Sequence, residues 1–417
     1  MSEAYIIGSF STAAGKFPDL TPKELTRRAY LGVLEDSGID PEAIGHVWFS
    51  NMFLDFWGQP NVRGQVCLLP LVREGLLPAR VATTNVEAAC ASGSLAFNGA
   101  WKDILSGQSG VSLAIGMEKM HAPERRLEFF DRLEKGTDWL DPADWLRMYE
   151  KMALGCASTF ERNPERSIAV DIYALWAKTH MAKYGTTARQ IACAAAKNHT
   201  NSVENPRAQY RFPMNAESVL ADRMVSEPLT RAMCAPIGDA AAAVLVCSKD
   251  FLAGLPKDRQ RRAVKVRSHA VAGGTFGASW EDERAPERAA RQAYRAADLT
   301  PQELDLVELH DATSFAEIHL IEDLGLCPRG TGGSFTESGA TKRTGKIPVN
   351  PSGGLVSRGH PIGATGLMMM HEICVQLRGE AGGLQLSKAR IGMVENGGGL
   401  IGNDLAACAV TILEGRS

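Results

Sequence analysis

The sequence predicts an α/β protein made of two similar halves packed as a layered sandwich. Its 417 residues exceed what one compact core normally encloses. A weak internal repeat gives the division. From Glu24 the chain runs ELTRRAYLGVLEDSGIDPEAIGHVWFSN, and from Glu287 ERAARQAYRAADLTPQELDLVELHD. Each has an amphipathic helix containing Ala-Tyr, a Pro-Glu or Pro-Gln turn, and a short strand ending in polar residues. A second pair, GDAAAAVLVCS from Gly238 and NDLAACAVTIL from Asn403, reads as Asp, then small residues, then a β-rich strand. Small residues there let a strand pack closely under helices.

The remaining elements fit around these pairs. Residues 111–116 (VSLAIG) and 391–394 are short apolar runs, as expected of buried strands. Residues 91–105 and 363–377 read as buried helices rich in small residues and Met. Alternation of this kind builds an α/β sandwich. The expected division is an N-terminal half over residues 1–255 and a C-terminal half over 265–417. The segment from about 121 to 228 has no counterpart in the second half. It is long, charged and Trp-containing, and reads either as a lobe inserted over a site or as a surface excursion.

Composition narrows the function. Hydrophobic residues make up 45% and charged residues 22%, ordinary for a globular protein. A formal net charge of -3 argues against a broadly basic nucleic-acid binder. Nine cysteines without a CxxC pair fit a reducing compartment and give no zinc-ribbon signal, so no metal site is expected. The start, MSEAYIIGSFSTAAGKFPD, lacks the basic flank and long apolar run of a signal peptide, and no stretch approaches a membrane span. A cytoplasmic location is expected.

Four segments carry candidate chemistry. In VEAACASGSLAFNGA (86–100), Cys90 precedes Ala91-Ser92-Gly93-Ser94 at an expected helix N-terminus, where free amide hydrogens and partial positive charge stabilise a thiolate. Cys90 therefore reads as a nucleophile or, alternatively, as one more small buried residue. In NPSGGLVSRGHPIGATG (350–366), five glycines and a Pro after His360 fix an imidazole on a tight turn, suited to a general base or an oxyanion donor. In ELHDATSFAEIH (308–319), His310 and Asp311 stand at the C-terminal end of an expected strand over 306–309, a favoured site position. Asp311 reads equally as a helix N-cap. In MVENGGGLIGND (393–404), the glycines after Glu395-Asn396 permit close backbone approach to a ligand, or form a plain turn.

Taken in order, these segments resemble the thiolase superfamily, and the resemblance runs over nearly the whole chain, including GMEKM (116–120) and MCAPIGDAAAAVLV (233–246). The His-Asp pair at 310–311 is similar to the sterol-carrier-protein branch. The resemblance implies a five-layered αβαβα fold of two similar halves and an acyltransferase that cleaves or forms a β-ketoacyl-CoA. It implies an acyl-cysteine at Cys90, His360 as its base, and His310 with His360 as one oxyanion site. The backbone amides of Cys90 and Gly397 form the other. Coenzyme A enters as substrate, with no cofactor permanently bound. A homodimer core and a small zinc- and OB-fold-containing partner subunit also follow from it. Both positions that carry a second cysteine in the family are vacant: Glu395 stands at one and Ala312 at the other. Glu395 is expected to take over its proton transfer, provided burial raises its pKa. A changed-chemistry aldolase or acyltransferase is the second reading. A non-catalytic acyl-CoA or lipid binder is the third, and a retained nucleophile and base argue against it.

Overall fold

The computed structural model describes residues 3–275 and 280–415. The first half runs β1 (Ala4–Ser11), α1 (Pro22–Ser37), β2 (His46–Ser50), α2 (Arg63–Arg73), β3 (Ala82–Val86), α3 (Ser92–Ser106) and β4 (Val111–Glu118). The segment without a repeat counterpart follows as α4 (Arg126–Glu134), α5 (Pro142–Gly155), α6 (Ile168–Tyr184), α7 (Ala188–Asn201) and α8 (Ala216–Leu220). It ends in a small ribbon of β5 (Met224–Ser226) and β6 (Leu229–Thr230). The chain returns through β7 (Ala240–Ser248), α9 (Lys249–Gly254) and α10 (Lys257–Arg262). The second half contains β8 (Val264–Gly273), α11 (Ala285–Ala297), β9 (Leu306–Glu308) and α12 (Ser314–Asp323). It finishes with α13 (Gly332–Glu337), α14 (Gly354–Arg358), α15 (Thr365–Leu377), β10 (Ile391–Ile401) and β11 (Asp404–Glu414).

Nine strands are ordered β3-β2-β4-β7-β1-β8-β11-β10-β9. The halves meet where β1 pairs antiparallel with β8, Tyr5 opposite Lys265 and Ile6 opposite Val264. Read outward from that seam, β1-β7-β4-β2 on one side matches β8-β11-β10-β9 on the other. The sequence repeat is therefore a structural one. Thr21 and Glu24 form a reciprocal capping box at the start of α1, with Pro22 at its first position. Short 3-10 turns at Pro41–Ala43 and Pro301–Glu303 follow α1 and α11 and feed β2 and β9.

The strands sort their side chains with period two. On β7, Ala240, Ala242, Val244 and Val246 face α3 and α15, while Ala241, Ala243, Leu245 and Cys247 face α1 and α2. On the far side, Met393, Val410 and Ile412 pack under α11 and α12. Five layers result, with α3 and α15 in the middle. All thirteen residues of α15 are buried, as befits a helix with protein on every side.

The two central helices touch at their N-terminal turns through residues without bulk. A Cβ on Gly366 would overlap Ser94 Oγ and sit 2.5 Å from Asn396 Oδ1. Gly366→Ala is therefore expected to destabilise the protein by about 1–3 kcal/mol. Gly110→Ala, with nothing within 4 Å of the added carbon, is expected to be near neutral. Calorimetric midpoints of the two variants measure the difference.

Candidate active site

Cys90 lies between β3 and the start of α3, on a turn bent by Ala89, whose φ is 48°. A non-glycine residue in that region costs about 1–2 kcal/mol and persists only where neighbours enforce it. Here Ser92 Oγ accepts from the Ala88 amide at 2.8 Å and donates to the Ala89 carbonyl at 2.6 Å, while Glu87 Oε1 accepts from the Ala89 amide at 2.6 Å. The turn holds the thiol out toward His360.

His360 follows Gly359, whose φ of 112° excludes a side chain without strain. Its Nε2 lies 3.1 Å from Cys90 Sγ and its Nδ1 2.8 Å from Thr365 Oγ1. The Thr365 hydroxyl donates to Pro361 O at 2.9 Å, so it accepts from His360. This assigns the proton to Nδ1 and leaves the Nε2 lone pair facing the thiol. His310 Nε2 stands 3.4 Å from the same His360 atom, with the two rings nearly perpendicular. The three ligand-capable atoms of Cys90, His310 and His360 all lie within 4.8 Å of one another. They are the set among the described residues grouped closely enough to hold a metal ion.

Burial dominates the electrostatics. It pushes the Cys90 thiol up to about 12, with Glu118 and Glu87 adding to the effect. His310 falls to about 4 through burial, and His360 falls well below its ordinary value through burial, His310 and Arg358. A helix start favours a thiolate, and burial opposes it here; with both imidazoles held below their ordinary range, no positive charge on them offsets that effect.

Several carboxylates hold the loops. Asp311 does not cap the helix that follows it. Its oxygens accept from Leu355 N at 2.6 Å and Asn198 Nδ2 at 2.8 Å, anchoring α14 just before His360. Glu118 accepts from Asn51 Nδ2, Met52 N, Phe53 N and Gly363 N, tying β4 to the turn before α15.

Glu395 is fully buried, and burial raises its pKa to about 7, as its expected role required. However, it is not on the cavity wall around Cys90. Its Oε2 accepts from the His310 amide at 3.0 Å, and its Oε1 from the Cys408 thiol at 3.2 Å. The geometry makes it a positioning residue for His310, correcting the expectation of a proton donor. Gly397 to Gly399 are not a loop either. They belong to β10, which pairs with β11 along this stretch. A Cβ on Gly398 would strike Ala91 N and Ala88 O and lie 2.8 Å from Cys90 N, so the strand needs glycine to pass beneath the nucleophile. Gly398 and Gly399 reach the cavity wall, and Gly397 does not.

Cys90, His310 and His360 open into a cavity of about 640 Å³. The segment between β4 and β7 contributes Phe129, Phe130 and Tyr173 to its wall, and Ala312 also lines it. Lys16, Arg126, Arg166, Arg223 and Arg231 add positive charge. Sequence reasoning missed Thr365, Tyr173 and the two phenylalanines. The first is visible as His360 plus five residues, at the first position of α15. The others lie in the part of the chain without a repeat to align.

Similarity to known proteins extends over both halves. The profile "Thiolase, N-terminal domain" matches residues 4–250, and "Thiolase C-terminal domain-like" matches 277–413. The chain is 36% identical to an acetyl-CoA acetyltransferase of Methanothermobacter thermautotrophicus, covering 96% of this chain and 97% of that one. It is 30% identical to benzoylsuccinyl-CoA thiolase subunit BbsB of Thauera aromatica, over 95% of each. Sterol carrier protein 2 of Oryctolagus cuniculus is 34% identical over 75% of this chain, which spans about half (55%) of that relative. Among solved structures, the Ltp2-ChsH2(DUF35) aldolase superposes with a TM-score of 0.75 at 19% identity, covering 99% and 98% of the two chains.

Two outcomes follow from the electrostatics. Iodoacetamide labelling of Cys90 in substrate-free protein is expected to accelerate steadily from pH 7 to 10. A plateau near neutrality would show a preformed thiolate–imidazolium pair. Glu395 has its pKa raised on folding, so the native state binds its proton more tightly, and its contribution falls as pH rises from about 4.5 to 7. Glu395→Gln removes that titration. The thermal midpoint of the variant, measured against wild type, should therefore gain steadily between pH 5 and 8.

Proposed function

The chain belongs to the thiolase family, and from that premise we propose that this acyltransferase carries an acyl group on Cys90 between a β-ketoacyl-CoA and coenzyme A. The observation that carries the reading is the 3.1 Å contact between Cys90 Sγ and the unprotonated Nε2 of His360, with the tautomer held by Thr365. As the sulfur adds to the keto carbon, its proton passes to His360. His310 then points a hydrogen-bond donor at the new oxyanion. The amide of Cys90 serves the second oxyanion in acyl-Cys90, with the glycine strand passing beneath it at Gly398 rather than the expected Gly397. The basic side chains on the cavity wall suit the phosphates of coenzyme A. The aromatic wall of Phe129 and Phe130 and the cavity's size favour an acyl group bulkier than acetyl.

A partner subunit is part of the proposal. One relative is named as a subunit, and the solved neighbour is named together with a DUF35 protein. A small zinc- and OB-fold-containing protein, alongside self-association into a dimer, fits this reading. Among the described residues no helix is long and apolar enough to cross a membrane.

Intact mass after treatment with acyl-CoA is expected to show one acyl adduct, absent in Cys90→Ser. An adduct that survives in Cys90→Ser removes Cys90 from the reaction. Sedimentation of the protein alone is expected to show a species larger than 44.9 kDa. A monomer at micromolar concentration removes the dimer.

A further inference from the structure

We infer that the Tyr173 hydroxyl is the acid and base for the carbon beside the thioester, the task left open by the absent second cysteine. The inference rests on the acyl-Cys90 reading above and adds a catalytic residue to it. Carbon–carbon cleavage leaves an electron pair on that carbon, and a donor facing the reacting atoms must supply a proton. Ala312 has none to give. Glu395 lies behind the cavity wall with both oxygens engaged. Cys234 is on the wall and bridges Thr313 through its backbone, yet its thiol is turned to the Thr230 carbonyl, 3.4 Å away.

Tyr173 meets the requirement. It sits one turn into α6, buried, with its ring set edge-on against Trp176 at 5.3 Å. It lines the same cavity as Cys90, His310 and His360, and its hydroxyl has no hydrogen-bond partner among the described residues. Burial raises the phenol above its ordinary range, and negative charge on Cys90 and then Glu395 raises it further. Tyr210, also on the wall, responds instead to Arg231 and Asp222. A phenol of raised pKa stays protonated at neutral pH, and its phenolate is a strong base, so it suits a weakly acidic carbon better than a carboxyl does.

The step balances as follows. Cys90 gives its proton to His360 and adds to the keto carbon. The bond between that carbon and its neighbour breaks, and the electron pair stays on the neighbour. Tyr173 O–H protonates it, and the shortened acyl-CoA leaves. Incoming coenzyme A returns a proton to the phenolate, and its thiolate attacks acyl-Cys90. The Cys90 sulfur leaves and recovers its proton from His360. The condensing direction reverses each transfer.

The test follows acetyl-CoA in D2O with wild type and Tyr173→Phe, a change that keeps the ring. Intact protein mass reads acetyl transfer to Cys90, and the mass of recovered acetyl-CoA reads deuterium in its methyl group. The expected result is that Tyr173→Phe still charges Cys90 while deuterium incorporation falls about 10²- to 10⁴-fold. A variant that exchanges at more than a tenth of the wild-type rate overturns the role of Tyr173. So does a wild type that charges Cys90 without exchanging deuterium. Either result leaves the acyl-cysteine standing. A wild type that is charged at Cys90 neither by acetyl-CoA nor by benzoyl-CoA overturns the acyl-cysteine reading and this inference with it.

Discussion

The close approach of α3 and α15 at their N-terminal turns is the constraint on which the rest of the molecule depends. Each helix begins just after a loop that carries one half of the Cys90–His360 contact, Cys90 before α3 and His360 before α15. Because the helices share the central layer, with Gly93 set against the 363–367 backbone and Gly366 against Ser94, the two loops meet although 270 residues separate them. Ser94 also donates to Asn396 on β10 at 2.9 Å, which brings the glycine strand into the same junction. Bulk at any of these contacts would push the sulfur away from the imidazole. Fold stability and site geometry therefore rest on the same small residues.

Protein surrounds the junction closely, and that shifts the protonation equilibria. An ionised group there loses its hydration, so charge survives only where hydrogen bonds replace water. Burial raises Glu118, Glu308 and Glu395 each to about 7, even though all three accept hydrogen bonds from backbone or side chains. Their bonds tie distant loops together: Glu118 reaches Gly363, Glu308 reaches Ser352, and Glu395 reaches His310. Arg358, fully buried, supports Glu308 and Glu372 electrostatically and helps keep His360 unprotonated. The carboxylates thus act as loop anchors.

Much of this was legible in the chain. The repeated helix–turn–strand units at Glu24 and Glu287 fall in equivalent places, as do the strands after Gly238 and Asn403. Residue order along one element is a local property, and burial of an apolar face makes its period visible. Cys90 and His360 were legible for a similar reason: a helix start and a glycine-flanked turn are local devices. The role of Glu395 was not. Its place beside glycines suggested a cavity loop, but pairing with β11 makes the stretch a strand and turns the carboxylate toward His310 and Cys408.

By itself, then, the sequence determined two similar halves, a cysteine at a helix start, an imidazole on a glycine-flanked turn, and the absence of a second cysteine from both its expected positions, because each is written in contiguous residues. Which groups face the reacting atoms was decided only by tertiary structure. Tyr173, Phe129 and Phe130 come from a segment with no repeat to align, and they reach the cavity only because that segment folds back over the junction. The neutral state of Cys90 was likewise decided there. A helix terminus favours the thiolate, but enclosure by residues distant in the chain removes water from it, and here desolvation is the larger effect.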